Sequence, residues 1–250
     1  MGDLKTGRQS VVNLKMKLIY LARRNPSIRA EDWPRMWRSH AAFAGQILTL
    51  DARLTGLFYC SRVLQPTLHG APFDPPQAAR DYDGVAIVSS DTAEVPQAEM
   101  TPEVRAKIDQ DELRVFSTYV PKFSFHCQEV LVHGGAAGKA AVIRFLVRRS
   151  GTTREAFLAH WSDRHAEIAT RAADASGILT RYVHDSLIED PPPGYPFDGI
   201  TEAWFASTDD AVRSFVDGAL APIAQDLTAF CDPERSVTLL TNVIHRWPRA

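Results

Sequence analysis

The feature that most constrains the fold of this 250-residue chain is a similarity between its two halves. The matches are weak one by one, but they occur in the same order along both halves. The aligned pairs are 18–24 with 143–149, Trp33 with Phe157, Trp37 with Trp161, and Tyr82-Asp83-Gly84 with Phe197-Asp198-Gly199. A similarity of this kind predicts two copies of one supersecondary unit that pack against each other.

Hydrophobic periodicity and turn residues predict the same order of elements in each half, which is strand, helix, strand, proline-rich loop, strand, helix, strand. Because a proline inside a helix is disfavoured, we expect the first helix to begin near Asp32, just before Pro34. Thr152 and Glu155 are predicted to form a capping box, and Asp209 or Asp210 to cap the last helix. The predicted strands are 17–23, 56–64, 84–89, 122–132, 141–148, 181–188, 199–205 and 236–245, and the earlier helices are 30–50, 101–116 and 153–175.

A β-α-β-β-α-β unit covers one face of its sheet with helices and leaves the other face bare. The other copy offers the nearest surface that can bury this bare face. The sequence therefore predicts an α+β fold in which two ferredoxin-like repeats pack their antiparallel sheets face to face as a pseudo-dimeric α/β barrel. The predicted organisation is an N-terminal extension at 1–15, a first repeat at 16–133, a linker at 134–139 and a second repeat at 140–248.

Composition argues against several classes of partner. The 28 basic and 30 acidic residues give a net charge of -2 and are scattered, which favours neither nucleic acid nor an anionic membrane surface. No apolar stretch reaches the ~18 residues that a membrane span needs. Three widely separated cysteines predict reduced thiols in the cytoplasm. His160 and His165 are five apart and have no ligand set around them, so we expect no metal site.

Three segments of the second half, 145–149, 153–166 and 180–183, together resemble an EthD domain. The most specific part is the Trp-x-x-x-His spacing from Trp161 to His165. The resemblance implies the dimeric α/β-barrel group, which includes small polyketide cyclases and cofactor-free monooxygenases. It also implies a small apolar or aromatic ligand and no cofactor. In the first half the histidine comes one residue earlier, at His40 after Trp37; since each helical residue turns by about 100°, the two histidines are predicted at non-equivalent places.

Helical spacing places Phe157, Trp161 and His165 on one face, which is predicted to pack on the sheet. Desolvation there would keep His165 neutral, so it is a candidate general base for removing a proton next to a carbonyl. The alternative is a structural core histidine that is satisfied by a backbone carbonyl or by Asp163 and Arg164.

Further candidates lie on the strands. Tyr182 and His184 share a strand face and could donate to a developing oxyanion, or simply fill the layer between sheet and helix. Arg148 could hold an enolate or carboxylate, or pair with Asp163 or Glu167 at a solvated strand end. The predicted catalytic residues are His165, Tyr182 and Arg148, and the predicted ligand-binding residues are Trp161, Phe157, His184, Trp37, His40 and His126.

These features favour an EthD-like, cofactor-independent enzyme that abstracts a proton from a small apolar carbonyl or phenolic compound, as a lyase, dehydratase or cyclase does. One alternative is a cofactor-free oxidoreductase or an accessory protein in ether or aromatic degradation. Another is a non-enzymatic small-molecule binding module. A monomer with an internal pseudo-two-fold axis and a homodimer are both compatible with the sequence.

Overall fold

The computed structural model describes residues 15–47, 54–91 and 101–248, so nearly all of the predicted N-terminal extension lies outside the described residues. Eight antiparallel strands form a closed barrel, and a two-stranded hairpin, β3 and β4, lies outside it. The strands are β1 Met16–Ala22, β2 Leu54–Arg62, β3 Thr67–Leu68, β4 Ala71–Pro72, β5 Gly84–Ser90, β6 Ser124–His133, β7 Ala140–Leu146, β8 Leu179–Leu187, β9 Gly199–Phe205 and β10 Val237–Trp247.

The helices lie on the outside of the barrel. They are α1 Trp33–Ile47, α2 Pro102–Val115, α3 Arg154–His160, α4 Ala166–Ser176, α5 Thr208–Arg213 and α6 Ala221–Phe230. A π-helical turn, Trp161–His165, joins α3 to α4 without a break. Because α1 begins at Trp33, Pro34 falls in its first turn, where the missing N–H has no helical partner to lose. Within the described residues, every helix is too short or too polar to cross a bilayer.

Strand order confirms the predicted fold class. The neighbours around the barrel are β1-β5-β2-β10-β7-β9-β8-β6. The strands of each half therefore occur in the order fourth, first, third, second, as in a ferredoxin-like unit. The two sheets also join at their edges, since β2 pairs with β10 and β6 pairs with β8. Closure of this kind leaves no open edge in the barrel.

Alternation along each strand separates a core inside the barrel from two outer layers under the helices. In β1, Ile19 and Leu21 belong to the inner core, whereas Tyr20 packs in the layer that includes Trp33 and Trp37 of α1. This explains why β1 is apolar on both of its faces. The corresponding outer layer of the second half packs α3, α4, α5 and α6 on β7, β8, β9 and β10.

An arginine–aspartate pair fixes the end of the first strand in each half. The backbone N–H of Arg24 donates to Asp83 Oδ2 at 2.9 Å, and that of Arg148 donates to Asp198 Oδ2 at 2.8 Å. Each guanidinium forms an ion pair with the same carboxylate. For a structural Arg148, the sequence predicted a pair with Asp163 or Glu167. This prediction is wrong, because the chain after the proline-rich loop brings Asp198 beside Arg148 instead.

The glycine after each of these aspartates permits a tryptophan to lie directly on the sheet. A Cβ at Gly199 would come within 2.5 Å of the Trp161 ring, and one at Gly84 within 2.7 Å of the Trp37 ring. Both approaches are shorter than van der Waals contact. The aligned Asp-Gly pairs therefore combine an ion pair with a site of close helix–sheet packing.

Two of the predicted helix caps are corrected by the structure. The hydroxyl of Thr153 caps α3 by accepting from the N–H of Ala156 at 3.2 Å, so Thr152 is not the cap. The hydroxyl of Ser207 caps α5 by accepting from the N–H of Asp210 at 3.1 Å, so neither Asp209 nor Asp210 is the cap. Both capping residues have the extended backbone that an N-cap requires, and each lies one residue from where the helical turn begins.

A buried cluster of charged side chains around Lys17 interrupts the apolar interior of the barrel. Lys17 is 2% exposed, and its Nζ lies 2.8–2.9 Å from carboxyl oxygens of Glu129, Asp185 and Glu202. Arg181 pairs with Glu129 at 2.6 Å. Burial raises the pKa of Asp185 well above its usual range, more than Lys17 lowers it. The cluster thus brings two cations, Lys17 and Arg181, to three carboxyl groups, of which burial favours the protonated form of Asp185.

We expect Lys17→Met to lower the free energy of unfolding by about 3–5 kcal/mol, because it leaves Glu129 and Glu202 buried without Lys17 as their counterion. Asp185→Asn is the matched control, since an amide resembles a protonated carboxyl group, and it should cost no more than about 1.5 kcal/mol. Urea unfolding of the three proteins measures the difference. Equal losses in the two variants would contradict this assignment of charges.

Candidate functional site

A cavity of about 260 Å³ lies between the outer face of the second half's sheet and helix α6 with the segment 214–220 that precedes it. Its wall is mostly apolar and includes Val142, Ala203, Phe205 and Leu227, while the charged or phenolic groups on its sheet side are Arg144 and Tyr182. A cavity of about 150 Å³ is enough to bind benzene. The space here is therefore large enough for a ligand with more than one ring.

The hydroxyl of Tyr182 connects the cavity to a buried histidine and aspartate. Tyr182 Oη lies 3.0 Å from His165 Nε2, and His165 Nδ1 lies 2.8 Å from Asp226 Oδ2. Strand β8 supplies the tyrosine, the π-helical turn the histidine and α6 the aspartate. Because a carboxylate can only accept, Nδ1 of His165 carries the proton, and its Nε2 accepts from the Tyr182 hydroxyl. We call these three residues the Tyr-His-Asp relay.

Burial sets the protonation states of the relay. It lowers the pKa of His165 to about 4, although the hydrogen bond to Asp226 opposes the shift. It raises the pKa of Tyr182 to about 12, although the charge of Arg144 opposes that shift. At neutral pH a protonated phenol therefore donates to a neutral imidazole. This arrangement can pass a proton from Tyr182 to His165 when the phenol oxygen receives another.

The first half also has a histidine–aspartate pair at the corresponding place. His40 Nδ1 of α1 lies 2.7 Å from Asp111 Oδ2 of α2. The prediction that His40 and His165 occupy non-equivalent places is wrong. His165 ends the π-helical turn, in which each hydrogen bond spans five residues, so the turn accommodates one residue more than α-helix does. The extra residue between Trp161 and His165 is taken up there.

The sheet beneath the two histidines differs between the halves. Gly84 pairs with Ala22 at the end of β1, and Gly199 with Leu146 at the end of β7, which fixes the correspondence of the strands. The predicted alignment of 18–24 with 143–149 is therefore wrong by one residue, since the structure matches Ala22 with Leu146 and Arg24 with Arg148. Counting along the paired strands from these glycines gives the corresponding positions Tyr20 and Arg144, Ala86 and Thr201, Tyr59 and His184, and Leu57 and Tyr182. The first half therefore lacks both the phenol of Tyr182 and the charge of Arg144 at these positions.

Aromatic rings occupy the corresponding layer of the first half. Trp37 stacks on Tyr59 with ring centroids 4.6 Å apart, and the Tyr20 ring lies 5.9 Å from Phe116. In the second half Trp161 stacks in the same way on His184, at 4.4 Å. Trp37 and its neighbours thus form a packed aromatic layer, whereas the layer of the second half contains the relay and the adjoining cavity.

Of the predicted catalytic residues, the structure brings Tyr182 and His165 together but leaves Arg148 apart. The Arg148 guanidinium is paired with Asp198 at the end of β7 and does not line the cavity. Arg148 lines a separate cleft together with Arg149 and Asp198, and its assignment as a group that holds an enolate or carboxylate stays a prediction. Its position at the strand end, beyond the helix-covered layer, is the physical reason for this separation.

The predicted ligand-binding residues fall into two groups. Phe157, Trp161 and His184 are buried beside the relay, but the cavity wall does not include them. Burial lowers the pKa of His184 well below its usual range, so its ring is neutral. The three other candidates belong elsewhere. Trp37 packs in the aromatic layer of the first half, His40 pairs with Asp111, and His126 pairs with Glu189 at 2.7 Å on a partly exposed strand face.

Two residues of the site were missed from the sequence, although each left a signal. Arg144 is a charged residue inside the otherwise apolar strand β7, which was expected to be covered on both faces. Asp226 lies on the buried stripe of α6 between Ile223 and Leu227. Charged residues are seldom buried unless they are paired or functional, so both positions indicated a partner or a ligand.

Cys231 also borders the cavity, but its chemistry is that of a buried thiol. Burial raises the pKa of Cys231, so the sulfur stays protonated and is a poor nucleophile. Among the residues that the structure describes, no cluster of histidine, cysteine or acidic side chains is arranged to hold a metal ion. The groups available for chemistry at the cavity are therefore the relay and Arg144.

The closed barrel of two ferredoxin-like halves defines the class of fold as the dimeric α/β barrel. Two solved structures share it over most of their length. One, a candidate monooxygenase from Fusobacterium nucleatum, is 5% identical with a TM-score of 0.52 and 93% of each chain covered. The other, an anthrone oxidase-like protein, is 10% identical with a TM-score of 0.51, covering 93% of this chain and 92% of its own. At such identities the similarity shows the fold alone.

Within this class, residues 149–234 match the family of the EthD domain. The resemblance expected from the Trp161-to-His165 segment is thereby confirmed. The matched segment contains all three residues of the relay, whereas Arg144 lies just before it. That the first half is a diverged copy of the same domain stays a prediction. No curated protein sequence gives a match to this chain.

The buried imidazole of His165 makes stability depend on pH. In the unfolded chain a histidine takes up its proton near pH 6.5, whereas the folded pKa is about 4. Between these values the unfolded state binds more protons, so the free energy of unfolding falls as the pH is lowered from about 6.5 to 4. The loss from this group is about 3 kcal/mol. Denaturant unfolding at several pH values should show a shallower dependence for His165→Gln, and an unchanged dependence would contradict the burial of a neutral imidazole.

Proposed function

We propose that this protein is a cofactor-independent enzyme that moves a proton on a small, largely apolar carbonyl or phenolic compound bound in the cavity. The observation that carries this proposal is the Tyr-His-Asp relay, whose phenol end borders an apolar space and whose imidazole is buried. A phenol, an imidazole and a carboxylate in a continuous hydrogen-bonded chain form a proton-transfer device, and the two donor–acceptor distances, 3.0 Å and 2.8 Å, are those of formed hydrogen bonds.

In the proposed step the oxygen of Tyr182 takes a proton from the substrate while the proton of its own hydroxyl passes to Nε2 of His165. The electron pair of the broken bond remains on the substrate as an enolate or phenolate. The imidazolium so formed is stabilised by Asp226, which already accepts from Nδ1. Return of the proton to another atom completes a tautomerisation, cyclisation or elimination. Tyr182 is thus the catalytic residue, and His165 and Asp226 are positioning residues that act through it.

This assignment changes the role that the sequence predicted for His165. The histidine is fully buried and does not border the cavity, so it reaches the substrate through the tyrosine. The apolar wall supports the proposal because exclusion of water strengthens each hydrogen bond in the relay.

A cofactor-free oxidoreductase is the second candidate, since the same relay could deprotonate a phenol whose anion then reacts with dioxygen. The names of the two structural relatives, a candidate monooxygenase and an anthrone oxidase-like protein, agree with this chemistry. Oxygen uptake that depends on Tyr182 during conversion of a phenolic compound would favour oxidation. Proton exchange without oxygen uptake would favour the first proposal.

The proposal is tested with two aryl-substituted carbonyl compounds that have exchangeable α-protons, anionic phenylpyruvate and neutral 2-tetralone. The wild type should speed the exchange of these protons in D₂O, followed by NMR, for at least one of the two probes. Tyr182→Phe and His165→Gln should each slow this exchange by about 100-fold or more, because general acid–base groups typically contribute 10²–10⁴ in rate. Wild-type rates in Tyr182→Phe would contradict the relay.

The first half offers a matched control for these variants. His40→Gln disrupts the corresponding histidine–aspartate pair, which has a leucine, Leu57, where the second half has Tyr182. It should leave the exchange rate unchanged. If no probe exchanges faster than in buffer although it binds, the proposed enzyme is wrong, and the result favours a binding module instead.

A further inference from the structure

We infer that the cavity binds a ligand that carries a carboxylate and that Arg144 is the residue that holds it. This inference deepens the proposed function by naming the substrate class, an aryl or similarly apolar carboxylic acid. It rests on the proposed function only in taking the cavity as the binding site.

The first step is the position of Arg144. It lies near the middle of β7, facing the helices, and borders the cavity. The sheet register places it in a row of polar side chains that crosses four strands. The row is Thr238, Arg144, Thr201 and His184. None of these neighbours is an acid, so the row does not supply a counter-charge.

The second step is the absence of an internal partner. Among the described residues, the guanidinium of Arg144 has no ion pair or hydrogen bond, whereas Arg24, Arg148 and Arg181 each pair with a carboxylate. Burial lowers the pKa of Arg144, and the neighbouring group that opposes this shift is the Tyr182 phenol. Arg144 is half-buried, and a partly buried arginine with no acid beside it can take an anion from outside the fold. Here the open side of the residue is the cavity.

The third step is the difference between the halves. The position that corresponds to Arg144 in the first half is Tyr20, whose ring packs against other aromatic rings. The packing of the barrel therefore does not require an arginine at this place. The charge occurs in the half that also has the cavity and the phenol of Tyr182.

The shape of the guanidinium and of the cavity together define the ligand. A guanidinium presents parallel N–H groups that match the two oxygens of a carboxylate. The rest of the wall is mostly apolar, and its volume of about 260 Å³ suits a body of one or two rings. A carboxylate at Arg144 would place the adjoining carbon atoms near Tyr182, where the proposed proton transfer takes place.

The test compares binding of 2-naphthoate with that of 2-naphthamide, a neutral compound of the same shape, by isothermal titration calorimetry. The wild type should bind the carboxylate about 10- to 100-fold more tightly than the amide, as expected for a charge-assisted hydrogen bond. Arg144→Met should abolish this preference, and Arg144→Lys should reduce it. Arg149→Met, at an exposed position of the same segment, is the control and should retain it.

Each outcome bears on the inference. Equal binding of acid and amide by the wild type, a preference that survives Arg144→Met, or no binding of either compound would overturn it. If Arg144→Met does not fold, the test is the preference of Arg144→Lys for the acid over the amide, which should be smaller than that of the wild type. Neither naphthalene compound has an exchangeable α-proton, so this result is independent of the relay. If the wild type prefers the carboxylate but does not accelerate proton exchange, the proposed function is wrong and this inference stands. If the wild type accelerates proton exchange but does not prefer the carboxylate, this inference alone is wrong.

Discussion

The structure depends on the need of each four-stranded sheet to bury the face that its own helices do not cover. The two sheets bury these faces against each other and join at both edges, where β2 pairs with β10 and β6 pairs with β8. Side chains such as Ile19, Phe145 and Trp204 then fill the inside of the barrel. With the interior occupied in this way, the apolar cavity of the second half lies on the outside of the barrel, under α6 and the segment that precedes it. Barrel closure and the candidate site thus use opposite faces of the same strands.

The pattern of the sequence was sufficient to predict the order of elements along the chain and the fold class, because the signals for strands, helices and loops are local. Strands covered on both faces are apolar at nearly every position, as β1 and β7 are apart from Lys17 and Arg144, and proline-rich loops separate them. The two Asp-Gly pairs could be aligned from the sequence, but the structural role of their aspartates and glycines could not be inferred from it. It takes the structure to show that Asp198 holds Arg148 and that Gly199 admits the Trp161 ring.

The site was predicted only in part, since its partners come from distant segments. Helical spacing indicated a buried His165, and strand alternation indicated that Tyr182 and His184 share a face. Asp226 of α6 has no fixed offset from either residue. The prediction that His40 and His165 lie at non-equivalent places assumed a uniform α-helix, and the π-helical turn at Trp161–His165 makes that assumption wrong. A single extra residue in one half could signal either a displaced histidine or a local change of helix type, and periodicity alone does not distinguish them.

Comparison of the halves separates residues that hold the fold from residues that carry chemistry. Arg148 has a counterpart in Arg24, and both bind the aspartate that precedes the tryptophan-facing glycine, so this arginine belongs to the fold. Arg144 has Tyr20 as its counterpart and no acid beside it, so packing does not explain its charge. The histidine–aspartate pair is common to both halves and is therefore not sufficient to define a site. What distinguishes the second half is the sheet surface, where Tyr182 gives the buried imidazole access to the cavity. The differences between the halves thus locate the candidate site more sharply than their similarities do.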